Sequence, residues 1–403
     1  MIGKEVLKKT IKLDPPWEVA NINFEEESET FIIKVVYKKK ALLKQIKENT
    51  GKEVSIYDHI SRRWRYLDIW QYKSYIEVRV PRIKYKDSNS VEQVKVPWAD
   101  KFSRTTHLFE SVIIDSLVKM SIKDVNRTHS VSWYTVEKIL DKYITKMRSK
   151  VNYDLNYIGI DEISRKKGHK YFTLVYDLTK GHVIWIGKDR KSSTLKKFIR
   201  WYGKKKIKKI KGVAIDMWDP YIKALEDYAI KNKIVFDKFH ITKHLNDAMD
   251  KTRREENSQL LDDKILLLKK TKYIWLKNPR NLTEKQEITL EELLKYRLKS
   301  VKAYELKELF KFFWRYKTKK HAALFFNRWF WRATHSRIES IKKVAYTLKK
   351  YFYGVINYIK HSISNGRAEG INNKIRVYTK RAYGYKTDKM MMNMIYLTCG
   401  GIR

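Results

Sequence analysis

The chain has 403 residues, 88 Lys+Arg against 45 Asp+Glu, a formal net charge of +43 and a single cysteine, Cys399. One cysteine excludes an internal disulfide framework and a Cys-rich zinc site, and no apolar run approaches the roughly 18 residues of a membrane helix. A folded chain this basic repels itself unless a polyanion is near, which makes nucleic acid the leading partner.

In chain order, the N-terminal MIGKEVLKK lacks the apolar core of a signal peptide, so a soluble, cytoplasmic, nucleoid-associated protein of bacterial type is expected. Residues 1–103 read as a β-rich module. From Tyr72 to Arg82, Ser74, Ile76, Val78 and Val80 alternate with Lys73, Glu77 and Arg79, the period of a half-buried strand. Turn signals flank it at Asn49–Gly51 and Asp87–Ser90.

Over residues 104–150 the period changes. Phe109, Val112, Ile113 and Leu117 share one helical face, and Val136, Ile139, Leu140 and Tyr143 share another. A short helix, a break near His129-Ser130 and a new helix capped by Ser132 fit a helix-turn-helix, whose second helix offers Trp133, Tyr134, Lys138 and Lys142 outward to DNA.

The remainder, 151–403, is mixed. Strands are expected at 156–162, 170–177, 182–188, 210–216 and 233–237, with helices at 194–202 and 219–231. That β-β-β-α-β-α-β order is the one of a ribonuclease-H-like α/β core. Residues 240–360 read as helical, broken at Asn278-Pro279, with Thr283 and Gln286 at capping-box spacing, so an all-helical insertion is expected at about 250–355. Its FKFFWRY (310–316) and FFNRWFW (325–331) stretches are dense in aromatics, which serve either as core or as stacking platforms for bases.

Asp161 ends the first of these strands and Asp216 the fourth, so both carboxylates are expected at one sheet edge. Asn365 is a plausible N-cap for a helix over 366–378, with Ala368, Ile371, Ile375 and Tyr378 facing the sheet and Glu369, Asn373 and Arg376 on another face. Glu369 is then a third acid. Three carboxylates suit a hard divalent ion, and a pair of such ions, Mg²⁺ or Mn²⁺, suits phosphodiester chemistry. Glu162 is a rival for the first position but points to the opposite side of its strand.

YIGIDE from Tyr157, KGHKY from Lys167, AIDMW from Ala214, YIKA from Tyr221, FDKFH from Phe236, WLKNP from Trp275, NGRAEGINNKI from Asn365 and RAYGY from Arg381 together resemble the insertion-sequence-L-three (ISL-three) family of DDE transposases. Upstream, YDH at Tyr57, RRWRYLD at Arg62, VPR at Val80, KVPWA at Lys95 and VSWYT at Val131 are similar to the family's N-terminal module and helix-turn-helix. The resemblance implies a catalytic and metal-binding triad of Asp161, Asp216 and Glu369, with Asp237 and His240 of the FDKFH motif near the site. It implies cleavage at the terminal inverted repeats of a mobile element and transfer of the freed 3′-hydroxyl to target DNA, by a homodimer or higher oligomer paired on the ends. Arg367, Lys374 and Arg376 beside Glu369 are expected to hold DNA. The family's N-terminal zinc ribbon is departed from: KALLKQ at Lys40 and KYKDS at Lys84 stand in the cysteine regions, so no structural zinc is expected. Two other functions compete: a DNA-binding relative without catalysis, and a structure-specific DNA nuclease on the same fold.

Overall fold

The computed structural model describes residues 6, 9, 11, 13–88, 90–166, 168, 170–259 and 268–402. Lys167 and His169 of the KGHKY motif, Asn89 of the second turn signal and part of the helical insertion lie outside them. The chain splits into two compact units, Met1–Thr145 and Lys146–Arg403.

The first unit opens with a five-stranded sheet. Strands β1 (Trp17–Glu25), β2 (Thr30–Tyr37), β3 (Val54–Ile69) and β4 (Tyr72–Tyr85) lie in the order β1-β2-β4-β3, and β5 (Val91–Gln93) pairs with β4. The alternation along β4 is realised: Ser74, Ile76, Val78 and Val80 are buried, while Lys73 and Arg79 are exposed. KALLKQ is not β structure. It belongs to α1 (Lys39–Thr50), whose Leu42 is buried in the core. Its Lys, Ala, Leu and Gln are strong helix formers, and Asn49–Gly51 is the helix end, with Gly51 at φ +69° as the left-handed cap. The core holds Trp17, Trp64 and Trp98, with Trp98 edge-on to the other two at centroid distances of 5.2 and 5.9 Å.

Three helices follow: α2 (His107–Lys119), α3 (Ile122–His129) and α4 (Trp133–Ser149). The Thr106 side chain caps α2 and Ser121 caps α3. Ser130 breaks the chain in the left-handed region at φ 49°, and the Ser132 hydroxyl accepts the Thr135 N–H at 3.2 Å. The buried face of α4 is Val136, Ile139, Leu140 and Ile144, so Ile144 takes the place expected of Tyr143.

The second unit is built on strands β6 (Tyr157–Lys166), β7 (Lys170–Asp177), β8 (His182–Lys188), β9 (Gly212–Ile215) and β10 (Ile234–Phe236), in the order β10-β9-β6-β7-β8. The β6–β7 and β7–β8 pairs are antiparallel; β6–β9 and β9–β10 are parallel. Helix α5 (Ser192–Tyr202) follows β8, and α6 (Asp219–Glu226) lies between β9 and β10. Two expectations need correcting. The first strand runs on through Lys166, so Asp161 is not at its end; it lies just past the segment Tyr157–Gly159 that pairs with β9, and only β7 continues beside it. The helix expected over 219–231 stops at Glu226, because Ala229 takes a left-handed φ of 58°.

Beyond β10 the described residues are helical: α7 (Lys238–Asn257), α8 (Lys272–Leu276), α9 (Glu284–Leu294), α10 (Lys299–Phe310), α11 (Lys319–Thr334), α12 (Glu339–Lys350), α13 (Phe352–His361), α14 (Gly366–Arg381) and α15 (Asp388–Cys399). The Thr283–Gln286 capping box opens α9. Of the ten aromatics in the two dense stretches, Phe310, Phe313, Phe326 and Trp329 are fully buried, Trp314, Tyr316, Phe325 and Phe330 pack against that core, and Phe312 and Trp331 are exposed. No helix among the described residues is long and apolar enough to cross a membrane.

Candidate active site

Strand ends and a helix start bring acids together at one end of this sheet. Asp216 follows β9 directly, and Asp237 follows β10. The Asp237 backbone N–H donates to the Ile215 carbonyl at 3.1 Å, which holds the two strand ends in step. His240 lies in the first turn of α7, and its Nε2 is 2.9 Å from Asp216 Oδ1. Among the described residues, Asp216, Asp237 and His240 form a set whose potential ligand atoms all lie within 4.8 Å of one another. Asp216 Oδ1 is buried, with His240 Nε2 as its near neighbour. Two carboxylates and an imidazole this close together are a set of donor atoms that one cation could share.

Asp161 stands next to this set. Its Oδ1 accepts the Glu162 N–H at 2.7 Å and its Oδ2 accepts Asn372 Nδ2–H at 2.7 Å. Asn372 is itself buried, and its Oδ1 accepts the Tyr176 hydroxyl at 2.5 Å. Burial pushes the Asp161 carboxyl up to about 7, with the charges of Asp216 and Glu162 adding to the rise and the Glu162 N–H opposing it. Burial also raises Glu162 and Asp237, each with Asp216 as a further repulsive charge. Burial alone would lower His240, but contact with Asp216 and the charges of Asp237 and Asp161 outweigh it and raise its pKa. The site thus holds more negative charge than its own cations offset, which fits a divalent ion bound by oxygen ligands.

Glu162 lies on the other side of β6, as expected, where Arg190 Nη1 donates to its Oε1 at 3.3 Å and Tyr221 of α6 also hydrogen-bonds to it. The Tyr221 hydroxyl is 2.9 Å from Thr173 Oγ1 as well.

Glu369 is in the first turn of α14 and exposed. Its carboxylate is not part of the Asp216–Asp237–His240 set. What ties its helix to the acids is a pair of asparagines on either side of it. Asn365 is not a side-chain cap, contrary to expectation: its ψ is 9°, and its Nδ2–H turns inward to donate to the Ile160 carbonyl at 3.4 Å. Its backbone N–H donates to Asp237 Oδ1 at 3.3 Å. Asn372, seven residues on, reaches Asp161. The inward face of α14 is Asn365, Ala368, Asn372 and Ile375, all buried, while Asn373 and Arg376 are exposed as expected. Polar residues on a buried face escape a reading based on apolar periodicity; the asparagines at helical spacing were the available signal.

The expected DNA contacts divide. Tyr134 and Lys138 are exposed on α4, with Lys138 Nζ 4.5 Å from the Tyr134 ring centroid, and Trp133 is half-buried. Lys142 is engaged by carboxylates, at 2.5 Å from Asp100 Oδ2 and 2.6 Å from Glu110 Oε2. Arg367 Nη1 donates to the carbonyls of Leu178 and Thr179 at 2.7 and 2.6 Å, and Lys374 Nζ to that of Thr398 at 2.9 Å, so both fasten α14 to its neighbours. Arg376 donates to Asn373 Oδ1 at 2.7 Å.

Comparison with known proteins adds to this geometry. Residues 158–395 match a family model described as "Transposase", and residues 94–144 match the "Helix-turn-helix domain of transposase family ISL3". The transposase for insertion sequence element IS1001 of Bordetella parapertussis is 29% identical over 338 residues, 82% of this chain and 82% of that protein. The transposase for insertion sequence element IS1557 of Mycobacterium tuberculosis (strain CDC 1551 / Oshkosh) is 25% identical over 433 aligned positions, spanning 100% of this chain and 97% of that protein.

Proposed function

The chain belongs to the ISL3 family of DDE transposases, and from that premise we propose that Asp161, Asp216 and Glu369 are its catalytic, metal-holding residues. It is a DNA transposase, with a DNA-binding helix-turn-helix and a metal-dependent catalytic domain. The observation that carries the site assignment is the convergence of Asp161, Asp216, Asp237 and His240 at one end of the second sheet, with excess negative charge inside a chain of net charge +43.

Its strand order, with acids after β9 and β10 and on β6, supports the ribonuclease-H-like reading, preceded by a β-rich module and the helix-turn-helix and carrying the helical insertion. Two Mg²⁺ or Mn²⁺ ions held there would activate an attacking oxygen and stabilise the leaving oxygen of a phosphodiester. The chain's own residues do the rest. Asn372 and the Glu162 N–H orient the Asp161 carboxylate. His240 sets Asp216. Asn365 and Asn372 seat the helix that brings Glu369. Tyr134 and Lys138 on α4 read or grip duplex DNA at the element's terminal repeats, and the paired ends are held by at least two copies of the chain.

The decisive experiment uses the full chain with duplexes carrying the element's terminal repeats and Mg²⁺ or Mn²⁺. Asp161→Ala, Asp216→Ala and Glu369→Ala should each abolish strand cleavage while retaining DNA binding. Full cleavage by any one of them removes that residue from the site.

A further inference from the structure

The loop after β8 holds Arg190 against Glu162, the neighbour in sequence of Asp161, and we propose that Arg190 is a phosphate-binding side chain, gripping non-bridging oxygens of the DNA backbone near the position that is cut. The inference rests on the active-site reading above and adds a subsite to it.

The backbone here is built to place one side chain. Asp189 adopts a left-handed φ of 68°, uncommon for a residue with a Cβ but one that Asp tolerates, and hydrogen bonds fix it here. They do so on both sides: the Asp189 N–H donates to the Tyr171 carbonyl at 2.9 Å, and its carbonyl accepts the Thr173 hydroxyl at 2.5 Å. The Arg190 carbonyl in turn accepts the Trp218 indole N–H at 3.3 Å.

The guanidinium that results packs on two aromatic rings, its carbon 4.5 Å from the Tyr171 centroid and 4.9 Å from that of Trp218. Trp218 is two residues past Asp216, which ties the cation to the strand end that carries the acid. Nη1 donates to Glu162 Oε1, and among the described residues Nε and Nη2 have no acceptor, with the side chain 37% exposed. Aromatic contact occupies the faces of a guanidinium and leaves its N–H edges open. A planar, pre-oriented fork with free donors, linked through Trp218 to the strand end that carries Asp216, matches the geometry of a phosphate. Neutralising Glu162 alone would not need the two rings.

The test is metal-free binding of full-length protein to terminal-repeat duplexes in which single phosphates around the cleaved position are replaced by neutral methylphosphonates. For wild type, one replacement should weaken binding about tenfold, the effect of losing a charge-assisted hydrogen bond. In Arg190→Gln that same replacement should have no further effect, and Arg190→Lys should restore part of the sensitivity. Equal sensitivity at every position in wild type and Arg190→Gln overturns the proposal. So does a structural outcome, in which Arg190→Gln and Glu162→Gln lower the unfolding temperature alike while the methylphosphonate pattern is unchanged. A wild-type chain that binds no such duplex overturns the function reading itself, which separates the two failures.

Discussion

Asp161 shows how a single carboxyl couples stability to function. Its pKa is about 7 in the folded chain, set first by burial, against about 3.9 for an ordinary aspartate. Between those values the metal-free folded state keeps a proton that the unfolded state has released. The folded chain then binds more protons, so stability is greatest below the window and falls as pH rises through it. Urea unfolding in chelator should show wild type losing on the order of 2 kcal/mol more than Asp161→Asn between pH 5.5 and 8. Parallel pH profiles for the two proteins would count against this account. The same charge that destabilises the empty site is what draws a cation into it.

At the scale of elements, the docking of α14 on β6 decides where Glu369 stands. Gly159 permits it: a Cβ there would meet Asn365 Oδ1 and Leu178 Cδ2, each at 2.8 Å. Gly159→Ala should therefore cost roughly 1–3 kcal/mol through overpacking and slow cleavage by shifting the helix start. Gly370 is also on α14, and a Cβ at that position meets nothing within 4 Å. Gly370→Ala should stabilise by about 1 kcal/mol, because alanine restricts the unfolded chain and favours helix. Urea midpoints of the two variants should move in opposite directions; a shift of the same sign in both would contradict the packing argument. Trp17, Trp64 and Trp98 supply the core of the β-rich module with apolar contacts, and KALLKQ, in the first cysteine region of the family's ribbon, forms part of α1.

For the whole molecule, a net charge of +43 predicts how it meets DNA. If the exposed cations track phosphates, log affinity falls linearly with log salt, and about six to ten contacts lose roughly 10³–10⁵ in affinity between 50 and 200 mM salt. Fluorescence anisotropy of a labelled duplex measures the slope. A flat response would mark the charge as codon composition rather than a DNA-binding surface. Not every cation will count: Lys142 is paired with carboxylates and Arg367 and Lys374 hydrogen-bond to backbone carbonyls, so their removal should lower stability more than it lowers the salt slope.

Local chemistry made much of this protein legible from the sequence. Alternation along β4, the helix-turn-helix with its serine cap, the five strands and two helices of the second unit and the capping box at Thr283 all depend on neighbours a few residues apart, and periodicity records those. The tertiary structure decided the rest. It continued β6 past Asp161, turned Asn365 inward, joined Asn372 to Asp161, and set Arg190 against Tyr171 and Trp218. Each of these contacts links segments remote in sequence, and which partner a buried polar group finds is determined only when the packed chain removes water from it.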